Sequence, residues 1–109
     1  MATQINESDW KLFRQLHPIA VERYCQRVLA ENQELANDTT QTARERYLAI
    51  FRLYIHRNKE MARLFDDFRR STALMQILAI KRHELITEEE FARFSEETRD
   101  FLAGFEREF

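Results

Sequence analysis

The side chains able to do chemistry are few and scattered. His17, His56 and His83 fall in separate stretches, and Cys25 is the only thiol. Carboxylate-bridged metal centres in helical bundles use Glu-x-x-His pairs, which put both ligands on one helix face. No such pair occurs in this chain. His56 and Glu60 stand four residues apart and share a face, but a lone pair of this kind is ordinarily a surface contact of about 0.2–0.5 kcal/mol. Cys25 lies within an apolar stripe, where a thiolate is disfavoured, and reads as a small buried hydrophobe. Ser71 and Ser95 read as helix caps. Phosphate-cradling loops need several glycines, and Gly104 is the sole one. The expectation is a non-enzymatic chain with no catalytic residue, cofactor or metal.

The densest constellation is Phe65-Asp66-Asp67-Phe68-Arg69-Arg70. Arg69 and Arg70 could offer guanidinium forks to an acidic partner. Equally, they could pair with Asp66, Asp67 and neighbouring helices and hold a corner in shape, which is the expected role. A second basic feature is the set Arg44, Arg52, Lys59 and Arg63, spaced along one stretch where it could follow a phosphate backbone.

These residues must be positioned by helices. One glycine and one proline in 109 residues, with no Asn-Gly or Asp-Gly pair, leave no material for hairpin turns. Length and the 44% hydrophobic content fit a single domain, residues 1–109, with a real core. Residues 1–7 read as a fraying lead-in. Ser8 is the expected cap of a short helix over 9–16, and Pro18 starts a second one reaching about residue 36. Asn37-Asp38-Thr39-Thr40-Gln41 is a loop.

Thr42-Ala43-Arg44-Glu45 is a capping box. Behind it Tyr47, Phe51, Tyr54, Asn58, Met61, Phe65 and Phe68 are spaced 4, 3, 4, 3, 4, 3. That heptad repeat is the seam of helices packed with a left-handed twist. It predicts one helix over 42–68, about 39 Å long at roughly 1.5 Å per residue, with Asn58 the point where it would break. Asn58 is the seam's single polar position and, if buried, would set the register of a partner.

Ser71 or Thr72 should cap the next helix, 73–80, whose nearly all-apolar sequence marks it as central. Thr87-Glu88-Glu89-Glu90 is a second capping box. It opens a helix carrying Phe91, Phe94, Thr98, Phe101 and Phe105, which Ser95 could split in two and Gly104 could terminate.

The fold expected is therefore an all-α, four-helix-type bundle with a short extra N-terminal helix before Pro18. No run of apolar residues is long enough to span a membrane, no secretory signal opens the chain, and a lone cysteine fits the reducing cytoplasm. Charge is uneven: residues 42–82 carry ten basic and four acidic groups, and residues 83–109 three basic and nine acidic.

Phe65-Asp66-Asp67 with Arg69-Arg70-Ser71-Thr72-Ala73 resembles small bacterial all-α proteins of unassigned function. The likeness extends over residues 10–99 and implies no activity and no site. Leu85-Ile86-Thr87-Glu88-Glu89-Glu90-Phe91 resembles the turn of short C-terminal helical hairpins in bacterial proteins, except that Glu84 stands where glycine is usual.

Thirteen aromatic residues are many for a chain this short. The heptad stripe is longer than one small core can cover, and uncovered apolar surface marks association. The leading expectation is a protein–protein interaction or regulatory module, self-associating as a homodimer and acting through Asn58, Phe65, Phe68 and the corner charges Asp66, Asp67, Arg69 and Arg70. The alternative is a nucleic-acid-associated regulator using the arginines of 44–63. The third is a small-ligand or metal-binding bundle.

Overall fold

A computed structural model describes residues 4–108, with side chains through residue 107. All regular structure among these residues is helical: α1 Glu7–Ala36, α2 Ala43–Phe65, a 3-10 turn Arg70–Thr72, α3 Ala73–Arg82, α4 Glu88–Phe91 and α5 Glu96–Glu108. The fold is an all-α bundle built on the long α1–α2 hairpin, with α3, α4 and α5 packed at its open end.

The N-terminal expectation needs correction. There is no separate short helix before Pro18: α1 runs unbroken for 30 residues with Pro18 inside it. Pro18 lies on the exposed side, where the carbonyl it leaves without an amide partner can be hydrated. Leu12, Phe13, Leu16, Ala20, Tyr24 and Val28 keep the inner face buried across it. That continuous packing overrides the local cost. The cap is Asn6, not Ser8. Its side chain accepts from the Asp9 amide at 2.9 Å. Ile5 ahead of it is only 2% exposed, so this part of the lead-in is core. Residues 1–3 of the expected frayed segment lie outside the described residues.

α2 starts as its capping box demands but stops short of the expected 42–68 span, because Asp66 turns extended and leaves Phe68 outside the helix. Thr42 and Glu45 cap each other reciprocally, and the helix passes Asn58 without a break, ending at Phe65. α3 is central, with Ala73, Ile77 and Ile80 fully buried. Its one interior polar residue, Gln76, is also buried and donates to the Asp66 carbonyl at 2.6 Å. Neither Ser71 nor Thr72 caps α3 as expected. The Thr72 hydroxyl turns back, donating to the Asp67 carbonyl at 2.6 Å and accepting from the Arg69 amide at 3.2 Å.

α3 ends in a left-handed residue, Glu84, with φ 58°. The Glu84 amide bonds Lys81 at 2.9 Å and the Leu85 amide bonds Ile80 at 3.1 Å. This is the Schellman arrangement that usually recruits glycine. The Arg27 guanidinium, reaching over from α1, donates to the carbonyls of His83 and Glu84. The second capping box, Thr87 with Glu90, opens only the one-turn α4. Ser95 restarts the chain as α5, its hydroxyl accepting from the Thr98 amide at 3.3 Å. Gly104 does not terminate that helix, which continues to Glu108.

Asp9 fastens the two ends together. It is 3% exposed and accepts from the Ser95 amide at 3.0 Å and from the hydroxyls of Ser95 and Thr98, both at 2.6 Å. A carboxylate from α1 thus sits at the N-terminus of α5, where the helix dipole favours an anion. Burial alone would raise the carboxyl's pKa. The bonds from Ser95, Thr98 and Asn6 outweigh it, and the pKa lies below the ordinary value.

Candidate interaction surface

The corner after α2 was the leading site in the sequence, and its parts are mostly spent within the chain. Phe65 is 5% exposed and belongs to the core. Phe68 is half-buried and stacks on His17 with centroids 3.9 Å apart, with Trp10 and Phe13 beside it at 5.2 and 5.4 Å. This ring cluster pins the corner to α1. His17 completes it through Nε2, 3.2 Å from the Phe65 carbonyl. Since a carbonyl only accepts, that nitrogen carries the proton. Burial lowers the imidazole pKa, and the carbonyl contact only partly offsets it.

Asp67 takes φ 58° and pairs with Arg69 at 2.6 Å, both exposed. Arg70 reaches Glu7 at 2.7 Å and the Ile5 carbonyl at 3.3 Å, tying the corner to the start of α1. Asp66 is exposed, and its backbone closes the helix while its carbonyl receives Gln76. The expectation that Phe65, Phe68 and the four charges present one interaction surface is therefore corrected. Phe65 and Phe68 face inward, and Asp67, Arg69 and Arg70 have partners in the chain.

Asn58 calls for a correction of another kind. It is solvent-facing, not buried in a seam. The reason lies in how α1 meets α2. The contact runs along the side of α2 that carries Arg57 and Leu64. Arg57 forms a two-pronged pair with Glu31 at 2.9 and 3.1 Å and also reaches Glu60 at 3.0 Å. The Tyr24 hydroxyl lies 2.8 Å from Glu60 and 2.9 Å from the Arg57 carbonyl. Burial would raise the Glu60 carboxyl, but Tyr24 and Arg57 bring it below the ordinary value, while burial and the same carboxylate push the phenol up. The heptad face, a quarter turn away, is buried only at its end, at Phe65 and in part Phe68, while Tyr54 and Met61 pack against the core with one side and Tyr47, Phe51 and Asn58 stay exposed.

What remains is an open apolar face. No side chain between residues 29 and 63 is buried, so the distal part of the hairpin is a two-helix arm in a molecule 56 by 28 by 24 Å. Tyr47 is 68% exposed, Phe51 56%, Ile55 45% and Leu29 56%. Beside them a groove of about 200 Å³ runs between the helices. Cys25, Val28 and Leu29 line it from α1, and Tyr54, Asn58 and Met61 from α2. Sequence reasoning found the stripe but not that its C-terminal end packs inward while its N-terminal part stays open. The missing information was the direction from which α1 approaches.

The basic residues of α2 divide similarly. Arg46 donates to the Ala36 carbonyl at 2.7 Å, and Arg57 is held as above. Arg44, Arg52, Lys59 and Arg63 are exposed and form no ion pair with a described residue. The acidic C-terminal part instead meets α1 and α3, through Arg23–Glu90 at 2.7 Å and Lys81–Glu106 at 2.9 Å. His56 is exposed on α2, while Glu60 turns to Tyr24 and Arg57. Among the described residues no three His, Cys, Asp or Glu side chains gather to hold a metal ion, and no helix is long and apolar enough to cross a membrane. No family model matches the chain, and no curated protein or solved structure matches it either.

Proposed function

We propose that this chain is a non-enzymatic helical interaction module of the cytoplasm that self-associates through the open face of the α1–α2 arm. One observation carries the reading: Tyr47, Phe51, Ile55 and Leu29 stand exposed together with an apolar groove on a part of the hairpin that no third helix covers. A two-helix arm with an apolar face is half of a four-helix bundle, and a second copy supplies the other half. Apolar area of this kind is costly to leave in water and drives association when two such faces meet. Each large aromatic buries on the order of 150–250 Å² when fully covered, so Tyr47 and Phe51 supply the anchors. The sedimentation mass of the purified chain tests this directly. A mass of two chains at micromolar concentration is expected, and a single chain across the accessible range overturns the reading.

The nucleic-acid alternative rests on Arg44, Arg52, Lys59 and Arg63 being exposed and free of ion pairs with described residues. Reversing Arg52 and Arg63 separates it from the first reading: loss of heparin retention with unchanged mass would favour it.

A further inference from the structure

Resting on the reading of the open arm face as a contact surface, we propose that it also takes an acidic amphipathic helix of another protein, laid along α2.

The partner's charge follows from cations that the chain itself leaves unanswered. α2 carries only two carboxylates, Glu45 and Glu60. Glu45 accepts from the Thr42 amide at 2.9 Å and closes the cap, and Glu60 is held by Tyr24 and Arg57. Arg44, Arg52, Lys59 and Arg63 are exposed and form no ion pair with a described residue. Lys59 and Arg63 also stand four residues apart, a like-charge spacing that weakens a helix unless something neutralises it. A second copy brings the same four cations to the contact and leaves them unanswered. Carboxylates of a different chain meet them with charge-assisted hydrogen bonds.

The partner's shape follows from where the cations lie. Arg52, Lys59 and Arg63 succeed one another at seven and four residues, so they share one flank of α2. Tyr47, Phe51 and Ile55 run between that flank and the side that meets α1. Across the groove α1 offers Cys25, Val28 and Leu29. Beyond them Glu22, Gln26 and Gln33 are exposed, none of them basic. The surface is therefore apolar along its middle and cationic along one edge. A helix with an apolar seam and carboxylates on one side fits it, its seam in the groove and its acids toward Arg52, Lys59 and Arg63. Such a helix can also offer Asn58 a polar side chain. A bilayer would strand that amide against hydrocarbon. A nucleic-acid strand would leave Leu29 and Ile55 against sugar and phosphate.

The probe is a displayed library of amphipathic helices with a fixed leucine seam and randomised flanks, selected on the full chain. Phe51→Asp and the double variant Arg52→Glu/Arg63→Glu read the contact, each with helical content unchanged by circular dichroism. The selected helices should concentrate Asp and Glu on one flank. Their binding should be lost with Phe51→Asp and weakened about tenfold or more by the double reversal. Neutral or basic flanks, no selected helix, or binding indifferent to either variant overturns the proposal. A Phe51-dependent affinity for phosphatidylserine vesicles or a polyuridine strand above that of every selected helix also overturns it. Sedimentation of the chain alone separates this from self-association. Two chains with no acidic helix selected leaves self-association standing without the proposal, and one chain with acidic helices selected leaves the proposal standing without self-association.

Discussion

Asp9 joins the beginning of α1 to the beginning of α5, and it shows how much one buried carboxylate can organise. Asp9→Ala removes an acceptor for three donors on Ser95 and Thr98 and should cost about 3 kcal/mol in urea unfolding. The direction of its pKa gives the sign of the pH dependence. A carboxyl held below its unfolded value contributes stability above that value and loses it as pH falls. Glu90 acts the same way. Its hydrogen bonds with Arg23 hold it at about 2 against an ordinary 4.5, so stability should fall steeply between those values. His17 adds an earlier, smaller loss. Its pKa is lowered from 6.5, so the unfolded chain takes the proton first and stability begins to decline as pH drops through that value. Equilibrium unfolding measured from pH 8 to 2 should therefore show a shallow step and then a steep one, and His17→Phe should remove only the shallow step. Asn6 and Asp9, three residues apart, were legible as a cap in the sequence. Ser8 drew attention instead because the buried Ile5, which moves the helix start forward, looked like part of a polar tail.

At the scale of elements, the left-handed positions and the glycine are mismatched. Glu84 and Asp67 adopt φ 58°, Asp67 as a type that tolerates it and Glu84 not, while Gly104, the sole glycine, sits inside α5. A side chain on a left-handed residue costs on the order of 1–2 kcal/mol, and glycine within a helix roughly 0.5–1 kcal/mol. A Cβ at Gly104 would meet only Arg107 Nη2, at 3.9 Å. Glu84→Gly and Gly104→Ala should therefore each raise stability by up to about 1 kcal/mol, additively, as thermal and urea unfolding would show. The corner separates its residues as sharply. Phe68→Ala should cost about 2–3 kcal/mol because its ring holds the corner against Trp10, Phe13 and His17. Arg69→Ala, which removes only an exposed ion pair, should leave stability nearly unchanged by the same measurement. The capping box marked the start of α2 in advance because it is local chemistry, whereas the heptad repeat, running on to Phe68, overran the helix end at Phe65. Continuity through Pro18 did not show locally, since it depends on a buried face supplied by distant residues. Thr72 looked like a cap for α3 because a sequence does not show that a hydroxyl will turn back to the chain before it.

For the whole molecule, the all-α class followed from one glycine, one proline and no hairpin-turn pair, and the excess of aromatic residues indicated surface left over. Which surface was not legible. The repeat from Tyr47 to Phe68 reads as one seam, yet the fold divides it. Its C-terminal end closes the base of the bundle, and its N-terminal end stays open on the arm. The central claim is that this open end is where a second copy binds. Sedimentation velocity on Phe51→Asp, beside Met75→Asp as a control, tests it most directly. Met75 is also an exposed apolar residue, 44% accessible, but lies on α3 away from the arm. With helical content unchanged by circular dichroism, Phe51→Asp should sediment as a single chain and Met75→Asp as two. Phe51→Asp sedimenting as two chains, or both variants as one, would contradict the account.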